Sequence, residues 1–87
     1  SVDPSKRDAY EDRANLKDRL GDYRGEVADL NLAITLDLQN PNIASLFYNR
    51  AEAKYKIKDK EGACADWSKA GELGYTKAYE DIKSYCN

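Results

Sequence analysis

The feature that most constrains this chain is an internal repeat. Residues 10–36 laid over residues 47–73, an offset of 37 without a gap, give nine identical pairs in 27 positions: Arg13/Arg50, Ala14/Ala51, Lys17/Lys54, Asp22/Asp59, Gly25/Gly62, Ala28/Ala65, Asp29/Asp66, Ala33/Ala70 and Leu36/Leu73. Other pairs are conservative, among them Tyr10/Phe47, Arg19/Lys56, Leu20/Ile57, Val27/Cys64 and Leu30/Trp67. Self-similarity at such a period means that one supersecondary unit is copied and buries its apolar face against its neighbour.

Each unit reads as two helices. Asp3-Pro4 is a cap followed by a proline in the first turn, where its missing N–H costs nothing. That predicts a helix to Leu20, with Gly21 as the left-handed residue after it. Asp22 caps a second helix carrying Val27, Leu30 and Ile34 at helical spacing and ending near Asp37. Asn40-Pro41 repeats the cap-and-proline signal before a third helix with Ile43, Leu46, Phe47, Ala51 and Ile57. Asp59 caps a fourth, with Ala63, Trp67 and Ala70 on one face, and Gly74 ends it. A fifth places Tyr75, Ala78, Tyr79, Ile82, Tyr85 and Cys86 on one stripe. No segment alternates long enough to make a strand. Turns of about three residues force neighbouring helices to be antiparallel. The expected fold is all-α, a superhelix of antiparallel pairs in a single domain over 1–87: one repeat at 7–40, a second at 44–74 and a closing helix at 75–86.

These residues resemble the tetratricopeptide family, whose helix–turn–helix unit of 34 residues has the skeleton W-x2-L-G-x2-Y…A-x3-F…P. The second unit reads Phe47-x2-Arg50-Ala51-x2-Lys54, then Ala63-x3-Trp67-x2-Ala70. The first reads Tyr10-x2-Arg13-Ala14-x2-Lys17, then Glu26-x3-Leu30-x2-Ala33. Leu20-Gly21-Asp22-Tyr23 and Tyr48-Asn49-Arg50-Ala51 are similar to common family strings. Glu26 departs from the pattern, standing where a small alanine belongs. So do Arg13, Lys17 and Leu38, and the period is 37 rather than 34.

The resemblance implies a concave groove lined by the first helix of each pair, holding a partner peptide or helix. Its lining would be Glu11, Asp12, Asn15, Asp18 and Arg19 from the first unit. The second would supply Tyr48, Asn49, Glu52, Tyr55 and Lys56, with Asn49 matching an asparagine that bonds ligand backbone. Some relatives clamp the carboxylate end of chaperone tails, but Glu11 stands where the first clamp lysine would be and repels such an end. The acidic lean of the lining implies a polar to basic peptide.

The cysteines lie on facing helices. Cys64 is 11 residues before Tyr75 and Cys86 is 11 after it, so an antiparallel hairpin turning there brings them to one level. They form either a disulfide or two buried thiols. A disulfide would place the chain in a periplasmic or secreted setting, and thiols in the cytoplasm.

Composition removes other classes. The net charge is −2, from 14 basic and 16 acidic residues that are well mixed. No helix shows the basic stripe of a nucleic-acid binder. There is no histidine, and two cysteines do not close a structural zinc site, so neither metal nor cofactor is expected. No apolar run suits a membrane span, and no signal peptide is visible. The absence of methionine predicts a fragment or a processed product. An enzyme is not expected, because Asp22, Asp29, Asp59 and Asp66 recur as capping and surface residues do. The leading expectation is a protein-interaction module. The alternative is homo-assembly through stacked repeats, using the stripe at 75–86 or the outer face of the first helix.

Overall fold

Five helices follow one another, with no strand among the described residues: α1 (Pro4–Arg19), α2 (Tyr23–Leu36), α3 (Ile43–Lys56), α4 (Lys60–Glu72) and α5 (Lys77–Tyr85). The structure, a computed structural model, describes residues 4–86; the cap expected at Asp3 lies outside them. Each helix packs mainly on its sequence neighbours, as short turns require. The array measures 39 × 27 × 16 Å.

The turns reproduce the repeat bond for bond. After α1, Gly21 N–H donates to the Asp18 carbonyl at 3.1 Å and Asp22 N–H to the Lys17 carbonyl at 2.8 Å. After α3, Lys58 N–H donates to Tyr55 at 3.0 Å and Asp59 N–H to Lys54 at 2.8 Å. This is the paired bonding of a Schellman ending. Gly21 takes the left-handed φ of 78° that the ending needs, and its repeat equivalent Lys58 takes 73° despite its Cβ. The next helix is capped at once: Asp22 accepts from Gly25 N–H at 3.0 Å and Asp59 from Gly62 N–H at 2.9 Å. A Cβ at either glycine would run into the capping carboxylate, which accounts for the Gly25/Gly62 identity.

The sequence misplaces one cap. α3 begins at Ile43 behind Asn42, not behind Asn40. Asn40 is buried in the preceding turn, where its Oδ1 accepts from Asn42 N–H at 2.9 Å and its Nδ2 donates to Glu11 at 3.3 Å. Pro41 sits inside that Asn-closed turn rather than in the helix. α5 is also shorter than expected, because Tyr75 and Thr76 are spent on the turn.

Two core clusters meet at Phe47. Ala14, Leu30, Ala33, Ile34 and Leu46 form one. Tyr48, Ala51, Ala63, Trp67, Ala70 and Ala78 form the other. The paired alanines Ala14/Ala51 and Ala33/Ala70 are fully buried and let the helix axes approach.

The remaining identities are electrostatic. Arg13 grips Asp29 with bonds of 3.0 and 2.7 Å, and Lys17 adds a third contact at 3.1 Å. One repeat later Arg50 grips Asp66 with two bonds of 2.8 Å, and Lys54 adds 3.1 Å. Each guanidinium also lies over the aromatic three residues before it, Arg13 over Tyr10 at 5.4 Å and Arg50 over Phe47 at 5.1 Å. Asp29 and Asp66 are therefore buried pins between the helices of a pair. That corrects the surface role expected of them, and it gives Arg13 and Lys17 a structural part in the first helix pair.

Cys64 and Cys86 are joined as a disulfide with a Cα–Cα separation of 5.9 Å. It ties the end of α5 to α4 at the level the hairpin arithmetic implies.

Candidate functional site

The polar residues left over from this framework gather on the opposite side of α3. Its Glu52, Tyr55 and Lys56 follow the helical spacing of three and four that puts them on one face. With Trp67 from α4 and Asp81 and Tyr85 from α5 they line a cavity of about 280 Å³. α5 supplies its wall through the spacing of four that aligns Lys77, Asp81 and Tyr85.

Three aromatic rings form one side. Tyr55 and Tyr85 have centroids 4.9 Å apart, Tyr55 and Trp67 5.8 Å, and Trp67 and Tyr85 5.7 Å. Trp67 is 2 % exposed, whereas Tyr55 and Tyr85 stand 39 % and 43 % open to solvent. Buried Trp N–H groups usually find a partner, yet Trp67 Nε1 has none, and neither has Asp81 Oδ2.

The carboxyls extend towards the first hairpin. Glu26 of α2 is 4 % exposed, and its Oε1 also has no partner. Burial, then the adjacent Asp18, pushes its carboxyl up to about 8. Glu52 is raised as well, by burial and then by the charge of Asp81. The nearby cations are turned onto rings: Lys56 Nζ lies 4.6 Å from the Tyr23 centroid and Lys77 Nζ 5.6 Å from that of Tyr48.

Of the residues expected in the groove, Glu52, Tyr55 and Lys56 line the cavity; Asp18 does not, although its charge acts on Glu26 and Glu52. Asn15 and Arg19 are exposed on α1, and Asn49 is half-buried on α3; none of them lines the cavity. One placement needs correcting. Tyr48 is 4 % exposed and stacked on Tyr75 at 4.5 Å, because the turn into α5 folds over it, so it belongs to the core. Glu11, half-buried on α1, does not line the cavity; it is tied to Asn40 and to Arg7 at 3.5 Å.

Sequence reasoning missed Glu26, Trp67, Asp81 and Tyr85 as site residues. Glu26 was visible as the acid that the repeat pairs with Ala63, and Asp81 as the polar face of the closing helix. No family model matches the sequence, and no solved structure matches it. Among the described residues no helix is long and apolar enough to cross a membrane.

Proposed function

We propose that this chain is a protein-interaction module of the tetratricopeptide type, holding a peptide segment of a partner along the face formed by α1, α3 and α5. One observation carries the reading: two residues with a buried polar atom that lacks a partner, Trp67 and Asp81, line one open cavity, and a third such residue, Glu26, interacts electrostatically with its Glu52 and Lys56. Each unsatisfied buried group costs roughly 1–3 kcal/mol. An occupant with both donors and acceptors, as a peptide has, relieves that cost. The repeat architecture supports the same reading, since stacked helical pairs expose extended concave surfaces.

The test uses the chain's single tryptophan. Peptides selected from a random displayed library are titrated into ¹⁵N-labelled protein, and the Trp67 indole N–H resonance is followed. The reading predicts saturable shifts at Trp67 and on α3 and α5. Selection of no peptide, or shifts confined to the outer face of α1, overturns it.

Homo-assembly is favoured by one separate observation. Leu16 on α1 and Leu20 in the turn just after it are 53 % and 73 % exposed. Sedimentation velocity across a hundredfold concentration range decides between the two.

A further inference from the structure

We infer that the cavity between α3 and α5 receives an arginine side chain of the partner, its guanidinium held by Glu52 and Asp81 against the Tyr55–Tyr85 rings. This rests on the peptide-binding reading and adds the chemistry of the anchoring residue.

The protein supplies its own template. Twice it builds a sandwich of aromatic ring, guanidinium and buried carboxylate, in Tyr10–Arg13–Asp29 and in Phe47–Arg50–Asp66. A third buried aspartate, Asp37, is held by Arg7 at 2.6 Å. The cavity has the ring and carboxylate halves of that arrangement without an arginine. Among the described residues none of Asp18, Glu26, Glu52 and Asp81 forms an ion pair.

Charge complementarity points the same way. Apart from Glu26, which keeps its proton at neutral pH, the three carboxyls of Asp18, Glu52 and Asp81 stand against the ammoniums of Lys56 and Lys77, and both ammoniums lie over tyrosine rings. A planar guanidinium satisfies a carboxylate in fork geometry while stacking on an aromatic face, which an ammonium does not do. At about 280 Å³ the cavity falls just below the ~300–1,000 Å³ typical of small-molecule sites and suits one long side chain. The free Trp67 Nε1 donor then needs an acceptor, which a peptide carbonyl flanking the arginine provides.

The probes are Nα-acetyl-arginine methylamide and its citrulline, lysine and glutamate counterparts, each titrated at millimolar concentration while the Trp67 indole resonance is read. Citrulline keeps the shape and removes the charge. The arginine probe is expected to bind about 10-fold more tightly than citrulline and several-fold more tightly than lysine, and to weaken as salt is raised. Asp81→Asn should weaken arginine by about 5-fold or more and leave citrulline unchanged. Glu52→Gln, at an exposed position, repeats the test should the first variant lose its fold by circular dichroism. Equal binding of arginine and citrulline, or arginine affinity unchanged in Glu52→Gln, overturns the inference. If library-selected peptides still shift Trp67 in that case, peptide binding stands and only the arginine assignment falls.

Discussion

Arg50 holds Asp66 through two parallel hydrogen bonds, Nε to Oδ2 and Nη2 to Oδ1, both 2.8 Å, inside the interface of α3 and α4. Its third nitrogen, Nη1, donates to Asn31 on α2 at 2.8 Å, so one guanidinium ties the second helix pair to the first. Arg13 makes the same fork with Asp29 in the first pair.

Breaking this fork from one side should be costly. Arg50→Ala leaves Asp66 buried with only Lys54, and removal of one partner of a buried pair typically costs about 3–5 kcal/mol. Because Arg50 keeps some solvent contact, about 2–3 kcal/mol is expected. The double variant Arg50→Met/Asp66→Leu should lose much less. Urea denaturation of the two single variants and the double closes the cycle. Additive losses would show that the fork is ornamental.

The acid limb of stability should belong in part to Asp29. Arg13 first, then Lys17, holds its carboxyl below the ordinary value of 3.8 against the opposing effect of burial. A depressed carboxylate stabilises the fold at pH values above its unfolded pKa, and that stabilisation fades as pH falls towards the folded pKa. Asp29→Asn should therefore be less stable than wild type at pH 6, with the gap narrowing below pH 4. Thermal melts at the two pH values check this.

Glu26 predicts the opposite slope. Its folded pKa is raised from 4.5 to about 8, by burial and then Asp18, with Glu52 adding to the rise and Lys56 opposing it. Between those values the folded chain keeps a proton that the unfolded chain has lost, so stability falls as pH rises from about 5 to 8. Glu26→Gln cannot titrate and should lack that decline. At pH 8.5 it should melt at least about 5 °C above wild type, the equivalent of roughly 1 kcal/mol in a domain of this size. Parallel melting curves for the two proteins between pH 5 and 8.5 would remove Glu26 as the cause.

How much of this was legible beforehand differs by residue. Helix number, the turns at Gly21 and Gly74, the caps at Asp22 and Asp59 and the alanine seams could be read because local spacing and capping rules dictate them. The meeting of Cys64 and Cys86 followed from helix geometry about a known turn. The roles of Asp29 and Asp66 did not, since a charged residue at helical spacing reads as solvated until the arginine opposite is seen to point inward. Tyr48 was misplaced for a related reason. Its burial depends on the α4–α5 turn, which packs Tyr75 onto it from 27 residues away. The cavity was half visible. Its α3 wall follows one helix face, while Asp81 and Tyr85 enter only through the packing of α5.

The repeat also exposes a position that can be improved. Lys58 occupies the left-handed position that glycine takes at Gly21 and Gly74. A side chain there costs roughly 1–2 kcal/mol, partly offset by the greater freedom glycine has when unfolded. Lys58→Gly should therefore gain about 0.5–1 kcal/mol and raise the urea midpoint at constant slope. A loss of stability would mean that the Lys58 side chain makes a contact worth more than its backbone strain.

The disulfide is the prediction that joins stability to the site. A loop closed between residues 22 apart stabilises the fold by about 3 kcal/mol in the chain-entropy account. Two repeats and a helix form a short array, and arrays of this kind usually need about three units. The bond also pins α5, whose Asp81 and Tyr85 form one wall of the cavity. Cys64→Ser/Cys86→Ser should lower the urea midpoint and shift Trp67 fluorescence to the red as Tyr85 leaves its ring. It should weaken any peptide that reaches the cavity by more than a variant of equal instability elsewhere, such as Gly21→Ala. Matching urea midpoints with and without reductant would show that α5 is held by Ala78, Ile82 and the stack of Tyr48 on Tyr75 alone, and that the cavity wall does not depend on the sulfur bond.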